Sequence, residues 1–581
     1  MNILRAGQGH LPEQASFDVV VLGAGGAGMA TALCLAQAGQ QVLLLESTAC
    51  VGGTTALSAG TAWIPLSTHG AQVNPADTRE AVDTYLDAAV GDAAPRAMRQ
   101  AFLDAGAAAV DFYERETELR FRPYPRHPDY LSELPGSTLC GRAIEPLPFD
   151  GRLLGEDFDL VRPPIPEFTV LGGMMVDRTD INHLLGMGRS LASARHAARI
   201  LARHARDRLG YPRGTRLVMG NALVARLLHS LKSQPNVTLA LGTELQTMAR
   251  GQGSEHELVV RRGHAISRVT ARKALVLASG GFNRHPALRQ ALLPGVSPDW
   301  CPGAPGHAGV AQSQAREALG AAWGRQDGQP PSTHAFWAPV SLRRRADGSQ
   351  AVFPHFVMDR AKPGMITVDQ RGERFLNEST SYHRFGLAMQ TAQAGGQAAI
   401  PAFLVADAAA LARYGMGMVR PGGKGLAPFL ADGYLVRGES LADLARQLDM
   451  NAEALSATVA RFNAMAARGV DEDFQRGTTA YQHNIGDATL GLPNPNLGPL
   501  TQAPFYALRL YPGDIGACSG LVTDGDGRVQ GPDGQPLPGL YALGNDAQSI
   551  MGDRYTAPGI TIGPALVFAY RAARAIHAPA P

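Results

Sequence analysis

Cysteine is scarce in this 581-residue chain, and the five it has, Cys34, Cys50, Cys140, Cys301 and Cys518, lie far apart and form no CxxC pair. That disfavours a disulfide framework, a zinc site or a cysteine-held iron–sulfur cluster; no metal is expected, and a reducing compartment fits. An excess of one charge is lacking as well. Lys and Arg number 53 against 51 Asp and Glu, a net +2, which gives no reason to expect a nucleic-acid partner. Long apolar runs are missing: no stretch reaches the roughly 18 residues that would suggest a membrane span. Residues 1–16 are polar where a secretory signal would carry an apolar core, so the cytoplasm is the expected location. What is plentiful is apolar residues at 45% beside 18% charged, with 67 Gly and 40 Pro. This suits a well-buried enzyme with two or three cores and many tight turns.

Residues 17–22 (FDVVVL) read as a buried strand, 29–37 as a helix and 41–46 (QVLLLE) as a second buried strand. Between the first two stands GAGGAG, with Gly23, Gly25 and Gly28 in the G-x-G-x-x-G positions and Gly26 and Ala27 between them. Gly23 permits the turn, Gly25 lets the backbone approach a pyrophosphate, and Gly28 lets helix pack on strand. Glu46, followed by Ser47, ends the second strand where an acidic side chain takes ribose hydroxyls and repels a 2′-phosphate. A second loop of small and hydroxyl residues follows at once: Gly53, Thr54, Thr55, Ser58, Ala59 and Gly60. That loop favours FAD over NAD, because it can line a pyrophosphate, a ribityl chain and a ring. No second G-x-G-x-x-G ends a strand, so electrons are expected to leave to an external acceptor other than NAD(P), such as a quinone, a dye or oxygen.

Strand-like 273–278 (KALVLA), leading into Gly280, and 540–543 (LYAL), leading into Gly544, look like the N-terminal pair despite their distance. The expected fold is therefore α/β: a Rossmann-like FAD-binding domain assembled from both chain ends (1–325 and 513–581), with an inserted α+β substrate domain at 326–512. Residues 183–208 stand apart, with Arg189, Arg195, Arg199, Arg203, Arg206 and Arg208 among Leu, Ile and Ala. A solvated helix face is the default reading. A basic amphipathic surface in peripheral contact with an anionic membrane, at its inner face, is the alternative.

These segments, with GERFLNESTSY at 372–382, LYALGNDAQSIMGDRYTAPGITIGPALVFAYRAAR at 540–574 and the residues around Asp129 and Tyr130, resemble the 3-ketosteroid Δ1-dehydrogenases. These belong to the larger group of fumarate reductase-like flavoproteins, and the resemblance covers most of the chain. It implies a noncovalent FAD, with Gly544, Asn545 and Asp546 near the ribityl chain. Gly563, Pro564, Ala565 and Leu566 would begin a helix aimed at the flavin, whose N-terminus favours negative charge on the reduced ring.

The activity it implies is 1,2-dehydrogenation of a 3-ketosteroid A-ring. A carbon beside a ketone is weakly acidic, so its enolate needs donors at oxygen; the Tyr555 hydroxyl and Gly559 N–H match that pair. Tyr382 matches the base that removes the C2 proton, Tyr130 the residue that hydrogen-bonds this base, and FAD N5 takes the C1 hydride. Tyr124 competes with Tyr130 for its place. Phe336, Trp337, Phe353 and Phe356 are candidates for an apolar steroid cleft, and His355 for a polar contact in it. Two enzyme rivals remain. A fumarate- or urocanate-type reductase would need guanidinium groups, and Arg374, Arg384 and Arg554 supply candidates. A steroid Δ4-dehydrogenase resembles this chain too, but its relatives carry a serine where Ala557 stands. A third reading, a flavin-bound membrane module without turnover, rests on 183–208 alone.

Overall fold

The computed structural model describes residues 1–188, 190–325, 328–357 and 359–578; Arg189 and the domain boundary expected at 326 lie outside the described residues. Strand Gln14–Leu22 feeds helix Gly26–Gln37, and the chain returns as strand Val42–Glu46. All of Val42–Glu46 and the last four residues of Gln14–Leu22 are buried. Cover on both faces is why these strands read as unbroken apolar runs rather than alternating ones.

The two strands sit inside a nine-stranded sheet. Val237–Leu241, Val42–Glu46, Gln14–Leu22, Ala265–Leu277 and Pro536–Ala542 lie side by side and parallel. Leu275, Val276 and Leu277 pair with Val20, Val21 and Leu22 on one side and with Leu540, Tyr541 and Ala542 on the other. The sheet is thus assembled from both ends of the chain. Helix Ile562–His577 packs beside Gly26–Gln37, fixing the C-terminal segment over the glycine turn.

A second, six-stranded sheet is antiparallel and comes from Ala335–Arg344, Gln350–Pro354, Met365–Val368, Ala402–Asp407, Val436–Gly438 and Phe505–Ala517. Its long strand Phe505–Ala517 runs through the boundary expected at 512, and Ala517 still pairs with Ala335. Leu521 then bonds to the Asp546 carbonyl, tying the end of this strand to the loop after the first sheet.

A third region, with helices Arg79–Val90 and Arg96–Glu116 and a small sheet of Ala62–Trp63, Phe121–Pro123 and Ala143–Pro146, packs on Ile562–His577. A helical hairpin, Arg178–Leu185 and Leu191–Asp207, stands on a small apolar cluster of Met174, Val176 and Ile200. Among the described residues no helix is long and apolar enough to cross a membrane.

Candidate functional site

The glycine turn is a cradle made of backbone. Gly23 has φ +101, and a Cβ there would sit 2.3 Å from the Ala278 carbonyl oxygen. A Cβ on Gly28 would lie 1.8 Å from the Gly23 oxygen, so helix and strand meet at a distance only glycine allows. Gly25 instead faces open space and caps the helix without a side chain, leaving first-turn N–H groups of Gly26–Gln37 directed at that space. Glu46 accepts from the Ala24 N–H at 3.1 Å and from the Thr48 hydroxyl at 2.7 Å, which orients its carboxylate at the end of its strand. Gly26 donates to the Thr55 hydroxyl, Ser58 accepts from Gly60, and Gly53 packs on Gly25. Ser47 and Ala59 are exposed on the same rim.

The 301–309 segment (CPGAPGHAG), unremarked in the sequence reading, folds over this cradle. Thr54 accepts from the Ala304 N–H and meets His307 Nε2 at 3.0 Å, while Gly306 packs against Ser47 and Glu46. His307 also fills the space behind Gly280, and burial pushes its pKa down to about 4. Arg162 bonds the Thr48 hydroxyl and has a buried Nε without a hydrogen-bond partner among the described residues. Its run of Gly and Pro was the only signal that this loop approaches other backbone closely.

From the far end of the chain, Gly544, Asn545, Thr561, Pro564 and Ala565 border a cleft that also reaches Phe336. Asp546 turns inward: its carboxylate is held by the Ser279 hydroxyl and the Gly281 N–H, so it clamps the two loops rather than facing the cleft. Gly563 lies against the Trp63 backbone, and the buried Leu566 offers its carbonyl to Tyr113. Open room at Gly25, free helix N–H groups, an oriented carboxylate and a small-residue cleft fit a flavin dinucleotide.

Beside this cleft three tyrosines meet. Tyr130, Tyr382 and Tyr555 are between 6% and 8% exposed. Ring centroids are 5.4 Å apart for Tyr130–Tyr382, 5.1 Å for Tyr382–Tyr555 and 5.9 Å for Tyr130–Tyr555. The Tyr130 hydroxyl donates to that of Tyr382 at 3.4 Å, a long hydrogen bond. Tyr382 opens helix Tyr382–Ala394, whose cap Ser381 accepts from Arg384 N–H. Tyr130 is anchored through its backbone: its N–H and the Tyr85 hydroxyl both donate to the carbonyl of Thr556, the neighbour of Tyr555. Gly559, φ +87, presses on the Thr61 carbonyl and on Trp63, where no side chain would fit, and its carbonyl accepts from Trp63.

Burial raises all three phenols, Tyr130 and Tyr382 well above the ordinary value; Tyr130 and Tyr555 add to the rise of Tyr382, whose own hydroxyl lowers both of them. Two influences oppose it. The buried Arg360 guanidinium lowers Tyr130, and the Tyr382 and Thr561 side chains lower Tyr555. Tyr481, also missed by sequence, lies 4.8 Å from the Tyr130 ring. Asp129 joins Trp63 Nε1 and Arg142 under the Tyr130 loop, and burial pushes its carboxyl up to about 6.

Of the aromatic candidates, Phe336 touches Tyr555 at 4.9 Å and Phe356 touches Tyr382 at 4.8 Å. Trp337 and Phe353 are core residues elsewhere. His355 is buried between the Ser341 hydroxyl and Asp359. Tyr124 stands one place further out, packed on His127, which is in turn 6.3 Å from Tyr130. The arginines offered for a carboxylate are committed. Arg374 is buried between Glu378 and Asp471, both at 2.8 Å, and Arg384 pairs with Glu133 at the surface. Arg554 is exposed beside Asp553.

Known proteins resemble this chain over most of its length. The FAD binding domain family matches residues 18–562. The 4-oxocyclohex-2-ene-1-carboxylate 5-dehydrogenase of Sinomonas cyclohexanicum is 38% identical over 567 residues, spanning 96% of this chain and 93% of that protein. The 3-oxosteroid 1-dehydrogenase of Mycobacterium tuberculosis is 36% identical over 575 residues, spanning 96% and 97%. Among solved structures, the 3-ketosteroid Δ1-dehydrogenase of Sterolibacterium denitrificans in complex with 1,4-androstadiene-3,17-dione matches with a TM-score of 0.88 at 31% identity, over 97% of this chain and 99% of that one.

Proposed function

This chain belongs to the FAD binding domain family, and from that premise we propose that it dehydrogenates a 3-ketosteroid A-ring at the 1,2 bond. FAD is its cofactor. The observation that carries the proposal is the convergence of Tyr130, Tyr382 and Tyr555 on one buried aromatic cluster whose neighbour Phe336 also borders the cofactor cleft.

The bound flavin supplies the hydride acceptor. The Tyr555 hydroxyl and the Gly559 N–H, which donates to no other described residue, hold the ketone oxygen and stabilise charge that develops there. Tyr382 takes the proton from the carbon beside the ketone, and Tyr130 shares that proton through the hydroxyl contact. Burial opposes ionisation of Tyr382, so the step depends on proton sharing within the cluster and speeds up toward alkaline pH. The cluster also excludes water from the enolate.

A second reading is favoured by the Sinomonas relative, whose name describes dehydrogenation of a ring ketone that bears a carboxylate. The carboxylate would then need a cation beyond the tyrosines. Arg178, its guanidinium 5.6 Å over the Tyr124 ring, stands on that side.

The test is to mix the yellow holoprotein anaerobically with androst-4-ene-3,17-dione, follow the flavin band and identify the product. Bleaching with a new 1,2 double bond supports the steroid reading. Bleaching by 4-oxocyclohex-2-ene-1-carboxylate alone replaces it with the second, and a flavin that stays oxidised with both ends the assignment.

A further inference from the structure

We propose that Arg360 is the positioning residue of the tyrosine cluster, a buried guanidinium that no carboxylate neutralises and whose charge is answered only when the cluster gives up a proton. The proposal rests on the reading above that these tyrosines take a proton beside a ketone. Arg360 is fully buried. Its Nε donates to the His355 carbonyl at 2.9 Å and one terminal nitrogen to the Phe356 carbonyl at 2.8 Å. The other terminal nitrogen donates to the carbonyls of Thr380, at 2.7 Å, and Glu378. Four of the five N–H groups of the guanidinium are thus spent on backbone.

These carbonyls belong to the two segments that place Tyr382. Phe356 packs on the Tyr382 ring, and Thr380 stands just ahead of the helix that Tyr382 opens. The guanidinium also lies 5.3 Å over the ring of Phe385, on that same helix.

What the four bonds do not provide is a counter-charge. Asp359 gives its carboxylate to His355, at 2.6 Å, and to the N–H groups of Gly417 and of Arg360 itself. Glu378 gives its carboxylate to Arg374 and Arg476. No carboxylate pairs with the Arg360 guanidinium among the described residues. A buried charge left in this way is costly, and a phenolate in the cluster is the anion that would answer it. The buried Tyr481 hydroxyl stands beside the guanidinium, and its ring is 4.8 Å from that of Tyr130. Burial raises both phenols, and the Arg360 charge works against that rise. The other titratable groups at the cluster supply no such charge. Burial holds His127 and His383 neutral, down to about 3 and about 4, and Asp129 is paired with Arg142.

Alkaline pH profiles of the FAD holoenzyme test the proposal in two ways. One follows the rate of anaerobic flavin bleaching by androst-4-ene-3,17-dione. The other follows tyrosinate absorbance, taken as the difference between each protein and its Tyr382→Phe counterpart, and needs no substrate. Arg360→Gln should move both limbs up by about one pH unit or more, slowing bleaching below the limb about tenfold. Arg360→Lys, which keeps the charge and gives up carbonyl bonds, should melt earlier yet keep the parental limbs. A merely structural arginine would lower the melting temperature in both variants and leave every limb in place, and that result overturns the proposal. Arg360→Met stands in where Arg360→Gln yields no holoenzyme. If neither neutral variant does, Arg360→Lys decides: the parental limb supports the proposal, and a limb moved up about one unit overturns it. If the steroid bleaches no flavin in the parent, the reading above falls, and the tyrosinate limb still decides for or against Arg360.

Discussion

The cofactor cradle and the tyrosine cluster are neighbours built in opposite ways. The cradle is backbone work done within one short stretch: Gly23, Gly25 and Gly28 shape the turn, and Glu46 follows one helix later. The cluster is side-chain work, drawn from Tyr130 on a loop, Tyr382 on a helix N-terminus and Tyr555 after the last strand of the sheet. A local backbone device tolerates change in the rest of the molecule and fails at single atoms. A convergent device depends on every element that positions it, here the Thr556 carbonyl that bonds Tyr130 and Tyr85 and lies next to Tyr555.

The largest effect is expected from breaking the cradle. Gly28→Val places atoms where the Gly23 carbonyl already stands, and the purified chain should carry no flavin by its absorbance. Next comes the cluster, with the cradle left intact. Tyr382→Phe should cut turnover about 10²–10⁴-fold and Tyr555→Phe about 10²–10³-fold, both with full FAD content. Loss of flavin from either would mean that the two regions are not separable. Tyr130→Phe removes one long hydrogen bond and should cost about tenfold, measured as kcat with a dye acceptor.

The smallest and broadest effect concerns pH. Burial holds His307 beside the cradle and His383 beside the cluster near a pKa of about 4, against about 6.5 for free imidazole. The folded value is the lower one, so the unfolded chain takes the proton first. The stability these neutral rings contribute is complete above about pH 6.5 and is lost as pH falls toward 4. His383 also accepts from Trp337 N–H and meets the Asp553 carbonyl through its other nitrogen, an arrangement a doubly protonated ring cannot keep. Thermal melts across that range should fall in the parent and fall less in His383→Gln.

What could be read in the sequence follows the same division. The glycines, Glu46 and the buried parallel strands were legible because turn, cap and apolar run are local signals, and the pairing of Leu275–Leu277 with Leu540–Ala542 follows from the likeness of the runs. The tyrosines were found through resemblance, not periodicity, and Tyr85, Tyr481 and the Asp129–Arg142 pair beneath them were not found at all. Nothing local says which ring meets which. Arg374, which could equally be structural by sequence, shows what the fold adds. It was offered for a substrate carboxylate, yet its guanidinium is held between Glu378 and Asp471, a pairing that became visible only once the fold closed. The boundary expected at 512 falls at Pro512 and Gly513, inside strand Phe505–Ala517. The strand continues through them because Pro512, which has no N–H to give, stands opposite Pro339.

The central claim is that the backbone cradle holds the flavin while the converging tyrosines move the proton. Anaerobic stopped-flow reduction of the Tyr382→Phe holoenzyme by androst-4-ene-3,17-dione tests it most directly. The account predicts a fully loaded yellow protein whose flavin bleaches at least about a hundredfold more slowly than the parent's. Bleaching at the parental rate would contradict it, since the proton would then leave by a route that does not use this tyrosine.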